Sequence, residues 1–167
     1  SIQGETTQIT LASLSGGYGG IPVSLVKPGR ILLDPAGLKE VGASLALADG
    51  QADIAYTRSA ADAATATVQI SKLPISPFLA LQGMSDVSGT LDATLKAEEV
   101  SGQVSGSGSI DLSDIKLADL EQAQGMATQI TLDLKAGRLS AKLTGQGAGL
   151  ENADMSGAIP VVTTHQQ

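Results

Sequence analysis

Apolar and polar residues alternate with a period of two along most of the chain. Val41, Ala43, Leu45 and Leu47 are separated by Gly42, Ser44 and Ala46. Asp49-Gly50 then reads as a hairpin turn, and Ala52, Ile54 and Tyr56 resume the alternation against Asp53, Ala55 and Thr57. Val68 and Ile70 continue it. Leu91, Ala93, Leu95 and Ala97 alternate with Asp92, Thr94 and Lys96. From Val100 through Val104, Ile110 and Leu112 one parity is apolar or glycine, with mostly Ser, Gln and Asp between. Ile130, Leu132 and Leu134 lead into Lys135-Ala136-Gly137, a turn, and Leu139, Ala141 and Leu143 return the chain. A period of two with one apolar and one polar face predicts half-buried antiparallel strands.

Gly followed two residues later by Ile or Leu recurs at Gly29, Gly89, Gly108, Gly137 and Gly157, which suggests a hairpin-sized repeat in which Gly turns the chain and the aliphatic residue opens a strand. Ordinary meander turns are the plainer explanation. The six prolines fall at expected strand starts or connections. Two segments break the alternation. Leu73–Met84 predicts a short helix after Pro77. Ser113–Gly125 is helical in its middle, or else a strand through Leu117 and then a loop. The fold class that follows is all-β: an extended, curved antiparallel sheet, an open trough with an apolar interior and at most one or two short helices, forming a single domain over residues 1–167.

Composition narrows the use of that sheet. Aromatic residues are 2 % of the chain, limited to Tyr18, Tyr56 and Phe78. Large rings usually dominate core burial, so a wall of Leu, Ile, Val and Ala is expected instead. A formal net charge of −7 and only ten scattered basic residues argue against nucleic acid and against docking on anionic lipid. The absence of Cys removes disulfides, thiolate metal sites and Cys nucleophiles, and fits either the cytosol or an oxidising periplasm. No signal peptide or spanning segment is visible, and a start at Ser1 suggests a fragment of a longer protein.

Candidate chemistry is sparse. His165 has no partner at zinc or triad spacing and reads as a tail residue. Ser15-Gly16-Gly17-Tyr18-Gly19-Gly20 lacks the Lys and following helix of a phosphate cradle and reads as a flexible turn. Gly145-Gln146-Gly147-Ala148-Gly149 likewise lacks a dinucleotide site's context. Asp111, Asp114 and Asp119 lack the alternate-ligand pattern of a calcium loop and read as a solvated acidic face. Neither a metal nor a cofactor is expected, and an enzyme is disfavoured, although carboxylate pairs of a glycosidase are not removed by spacing alone. The apolar stripe is then either the core of a β-sandwich or the lining of an open groove. Scarce aromatics and the small residues Ala93, Ala97, Gly102 and Ala141 favour the groove.

Several segments resemble the C-terminal conserved region of the TamB family, the translocation and assembly module subunits, and more loosely their AsmA-like relatives. They are Lys27–Asp34 with the following strand to Ala48-Asp49-Gly50, Leu73-Pro74-Ile75-Ser76-Pro77-Phe78-Leu79, Val87–Ala93, Val100–Gly106, Ile130–Leu134 and Met155–Val161. Glu98-Glu99 departs from the family's small-Pro pair before the fourth of these. The resemblance implies a taco-like β-trough within an inner-membrane-anchored protein that crosses the periplasm of a diderm bacterium. It also implies the outer-membrane barrel protein TamA as partner, and a role in phospholipid transport or outer-membrane protein assembly.

The expectation is therefore a periplasmic trough for lipid acyl chains or unfolded outer-membrane β-strands, with membrane association through parts outside this chain. Its predicted lining is Leu45, Leu47, Ile54, Val68, Ile70, Leu91, Leu95, Val100, Val104, Ile110, Leu112, Ile130, Leu132, Leu134, Leu139 and Leu143. The competing readings are a chaperone-like surface, a structural or adhesin-type β-repeat with a closed dry core, and a carbohydrate-active β-helix enzyme.

Overall fold

A computed structural model describes residues 6–118, 125–147 and 150–160. The strands are β1 (Thr7–Leu11), β2 (Ser15–Tyr18), β3 (Ile21–Asp34), β4 (Gly37–Leu47), β5 (Gly50–Ala60), β6 (Ala63–Pro74), β7 (Val87–Val100), β8 (Gln103–Leu117), β9 (Met126–Lys135), β10 (Arg138–Gly147) and β11 (Leu150–Pro160). One short helix, α1 (Ser76–Ala80), links β6 to β7. All strands belong to one antiparallel sheet in sequence order, with β1 and β2 sharing the outer edge of β3. β1 and β11 do not pair, so the sheet is open. At ~4.8 Å between strands and ~3.3 Å per residue, it measures roughly 45 Å both across the strands and along the longest of them.

Local chemistry accounts for the connections. Ser101 and Gly102 (φ 52° and 75°), and Ala136 and Gly137 (φ 49° and 70°), form two-residue turns with both central residues left-handed. This geometry matches the twist of the flanking strands. The turn after β4 is Ala48-Asp49, with Ala48 at φ 51°, one residue earlier than Asp49-Gly50. Gly50 is the first residue of β5, pairs with Leu47, and lies where a Cβ would stand 2.6 Å from the Leu73 Cα. The glycine there serves close approach rather than the turn. Pro77 sits in the first turn of α1, where its missing N–H costs nothing. In the Ser113–Gly125 segment β8 runs to Leu117; residues 119–124, on which the helix or loop reading of its middle falls, lie outside the described set.

The proposed glycine repeat does not describe the fold. Gly137 opens β10 from a turn, but Gly29, Gly89, Gly108 and Gly157 lie within strands. The bulge at Lys27/Arg30 in β3 accommodates Pro28 and Gly29, where Pro's missing N–H would otherwise interrupt the ladder.

No sealed core is present among the described residues. The buried aliphatic side chains are Ile21, Leu32, Ala52 and Ala93, all in β3 to β7. The polar face is held by short hydrogen-bonded clusters. Ser44, 1 % exposed, donates to Asp53 Oδ1 at 2.5 Å and accepts from Gln51 Nε2 at 3.1 Å, while Gln51 also donates to Asp53 Oδ2 at 2.7 Å. These bonds hold the Asp53 carboxyl below its ordinary range, Ser44 contributing most, then Gln51, with Lys27 adding charge. Arg58 ties the β3–β4 turn by an ion pair to Asp34 and a 2.6 Å bond to the Ala36 carbonyl, and the Arg58 bond lowers the Asp34 pKa.

Candidate functional site: one apolar face

Cross-strand register places the predicted lining in continuous rows. One row runs Ala43, Ile54, Val68, Leu95, Gly108, Leu132, Ala141 and Gly157 from β4 to β11. On one side of it lies Val41, Tyr56, Ala66, Ala97, Gly106, Leu134, Leu139 and Ile159. On the other lies Leu45, Ala52, Ile70, Ala93, Ile110, Ile130, Leu143 and Met155. Leu47 shares the face of Leu45 by parity, as Leu91 and Leu112 share that of Ala93 and Ile110. Residues directly opposite across strands share a face, so these rows form one surface.

Val100 does not belong to it. It pairs with Ala63 and Gln103, an odd number of residues from Leu95 on a strand with no intervening bulge, and so points to the polar face, 60 % exposed. The sequence alternation from Val100 to Leu112 crosses the Ser101-Gly102 turn, and parity is not carried across a two-residue turn. Val104, beyond that turn, does lie on the apolar face, opposite Glu99. Glu99 is therefore an acidic residue on the same face, near the turn end of the trough, and alternation alone did not single it out.

The face is open. None of the predicted lining residues is buried, and Ile54, Leu95 and Val104 are each 37 % exposed. A nonpolar hollow on it spans β6 to β10. Val68, Leu95, Leu132, Leu134 and Leu139 surround this hollow of about 220 Å³ over Ala66, Ala97 and Gly106. The two β8 glycines explain its shape. A Cβ on Gly108 would collide with the Leu95 Cδ2, and one on Gly106 would stand 2.7 Å from the Lys96 carbonyl oxygen. Leu95 therefore folds across β8 where a side chain would otherwise stand, and the sheet backbones approach closely beside it.

Catalytic geometry is weak by comparison. Asp92 and Asp111 face each other across β7 and β8 on the polar side, but each is held in a structural bond. Asp92 accepts the Lys72 N–H at 3.0 Å, and Asp111 accepts from Ser109 at 2.7 Å and Gln129 at 2.6 Å. Among the described residues, no group of three or more acidic or His side chains is placed to hold a metal. Ser15–Gly20 forms β2 and its turn into β3, and Gly145–Gly147 ends β10. His165 and Asp119 lie outside the described residues. No helix among the described residues is long and apolar enough to cross a membrane. Comparison with protein-family models, curated proteins and solved structures finds no match.

Proposed function

We propose that this chain is a β-trough that shields hydrophobic cargo, and that the cargo is the acyl chains of phospholipids moving between two membranes. The observation that carries the reading is the open apolar face: rows of apolar residues and glycines from β4 to β11, none of the predicted lining buried. Exposing an acyl chain to water costs about 0.8 kcal/mol per CH₂, so a chain of roughly sixteen carbons faces a barrier of order 12 kcal/mol in water. A continuous aliphatic wall removes most of that barrier without nucleotide or metal. The resemblance to TamB proteins supports a periplasmic setting, an anchor in the inner membrane outside this chain, and a barrel partner such as TamA.

A chaperone-like role for unfolded outer-membrane strands is the second reading. It is favoured by β11, which pairs only with β10 among the described strands and whose Met155 is 70 % exposed. A strand paired on one side is a template for strand addition. Photo-crosslinkers placed at Leu95 and Leu132 in cells separate the two. Phospholipid adducts at both positions are the expected result; adducts confined to unfolded barrel proteins would replace the lipid reading with the chaperone one.

A further inference from the structure

Cross-strand register puts one bare carboxylate on the apolar face. Glu99 stands on β7 between Ala64 of β6 and Val104 of β8, and the same row reaches Arg58 on β5. These three strands, β6 to β8, are each paired on both sides. Arg58 is already neutralised by Asp34 and bonded to the Ala36 carbonyl. Glu98, the neighbour of Glu99, points to the polar face and pairs with Lys96. Glu99 differs from both. Among the described residues its carboxylate has no ion-pair or hydrogen-bond partner, and the residue is half-buried with both oxygens in contact with solvent. The row of Ala66, Ala97 and Gly106, which floors the nonpolar hollow, is the next one along the strands, about 7 Å away. At the other end of β6, β7 and β8 the face carries Leu73, Leu91 and Leu112. The trough is therefore polarised across its width, with a free carboxylate at the β7–β8 turn and aliphatic side chains at the opposite ends of the same strands.

We propose that Glu99 selects the headgroup of the cargo, a phospholipid ending in a primary ammonium, as in phosphatidylethanolamine. The proposal rests on the lipid-carrier reading above. A tail lying in the hollow brings its headgroup to the turn end of β7 and β8, where Glu99 is the unneutralised charge of its row. A primary ammonium, like that of Lys, offers three N–H donors and meets a carboxylate in charge-assisted hydrogen bonds. The quaternary ammonium of choline has no N–H and is recognised by aromatic cages, whereas the residues around Glu99 on this face are Ala64, Ala97 and Val104. A headgroup of net negative charge, such as phosphoglycerol, would set like charge beside Glu99. The rest of the headgroup has room in an open hollow of about 720 Å³ between the β7–β8 and β9–β10 turns, whose wall includes Ser101, Gln103 and Lys135.

The test loads the whole chain from vesicles holding equal amounts of phosphatidylethanolamine, phosphatidylcholine and phosphatidylglycerol with identical acyl chains. Mass spectrometry then measures the lipids that co-purify. Wild type is expected to carry phosphatidylethanolamine enriched roughly threefold over each of the others, the size of effect a partly exposed ion pair gives. Glu99→Gln should carry as much lipid in total with that preference lost. Glu98→Gln removes the same charge from the polar face and should keep the preference, which separates contact at the site from a change in net charge. A Glu99→Gln protein with the wild-type ratio, a wild type that takes phosphatidylethanolamine no better than phosphatidylcholine, or an equal loss in Glu98→Gln overturns the proposal. Total uptake distinguishes this failure from failure of the carrier reading. Lipid carried without headgroup preference overturns the Glu99 site and leaves the carrier standing, whereas no lipid on folded wild type overturns both.

Discussion

Leu95→Arg separates a trough from a core because the two readings predict different sizes of damage. Leu95 stands on β7 over Gly108 and is 37 % exposed. Full burial of a Leu side chain contributes about 1.5–3 kcal/mol, so roughly two-thirds burial contributes about 1–2 kcal/mol. The arginine stem recovers part of that by lying along neighbouring aliphatics while its guanidinium reaches solvent. The expected loss of folding stability is therefore no more than about 1–2 kcal/mol, which a domain of ordinary stability tolerates. Within a sealed core, the same change would leave an unpaired buried charge and cost several kcal/mol more. Urea melts followed by far-UV circular dichroism measure the loss, and binding of a fluorescent fatty acid measures the site. The expected variant is folded, with a slightly lower midpoint and weakened ligand binding, because the charge stands in the hollow shared by Val68, Leu132, Leu134 and Leu139. Global unfolding, or a folded variant that binds the fatty acid as wild type does, would refute the argument.

Three further outcomes follow from particular contacts. Gly106→Ala should destabilise by about 1–3 kcal/mol because its Cβ meets the Lys96 carbonyl, whereas Gly108→Ala meets the movable tip of Leu95 and should cost less; thermal melts of the pair test the order. Ala136→Asn should raise stability by about 0.5–1 kcal/mol, since Ala136 is held at φ 49°, where Asn is better tolerated than Ala; an unchanged or lower melting temperature would count against the turn geometry. Asp34 and Asp53 both have lowered pKa values in the fold, so their contribution is fully present above the ordinary carboxylate pKa and is lost as pH falls through the lowered folded values. Melting temperature measured from pH 7 to pH 2 should fall less steeply in Asp34→Asn and in Asp53→Asn than in wild type.

Much of the fold is written in period two, which follows directly from the pleat of a strand. The rows through Leu95, Leu132 and Ile130 were legible because unbroken alternation fixes which residues share a face. What alternation does not carry is continuity across a turn. Val100 and Val104 have the same parity in sequence yet lie on opposite faces, because Ser101-Gly102 reverses the chain between them. The glycines show the same limit. A Gly in a turn and a Gly under a folded-over Leu look alike in sequence; the pairing of β9 with β10 puts Gly137 in a turn, and that of β7 with β8 puts Gly108 opposite Leu95. Pro77 marked α1 because its fixed backbone suits a helix's first turn. The Ser44–Asp53–Gln51 cluster gave no local signal, since Ser44 and Asp53 meet only through pairing of β4 with β5. The exposed character of the apolar face was suggested by scarce aromatics, but it is a property of one unclosed layer and not of any single segment.

The central claim is that an acyl chain lies on one face of this sheet and not on the other. Leu132 and Thr131 are neighbours in β9 that point to opposite faces, and the chain has no native Trp to confuse a probe placed at either. Quenching by a fatty acid brominated along its tail should be strong for Leu132→Trp and weak for Thr131→Trp; equal quenching at the two positions, or none at Leu132→Trp in a folded protein, would contradict the account.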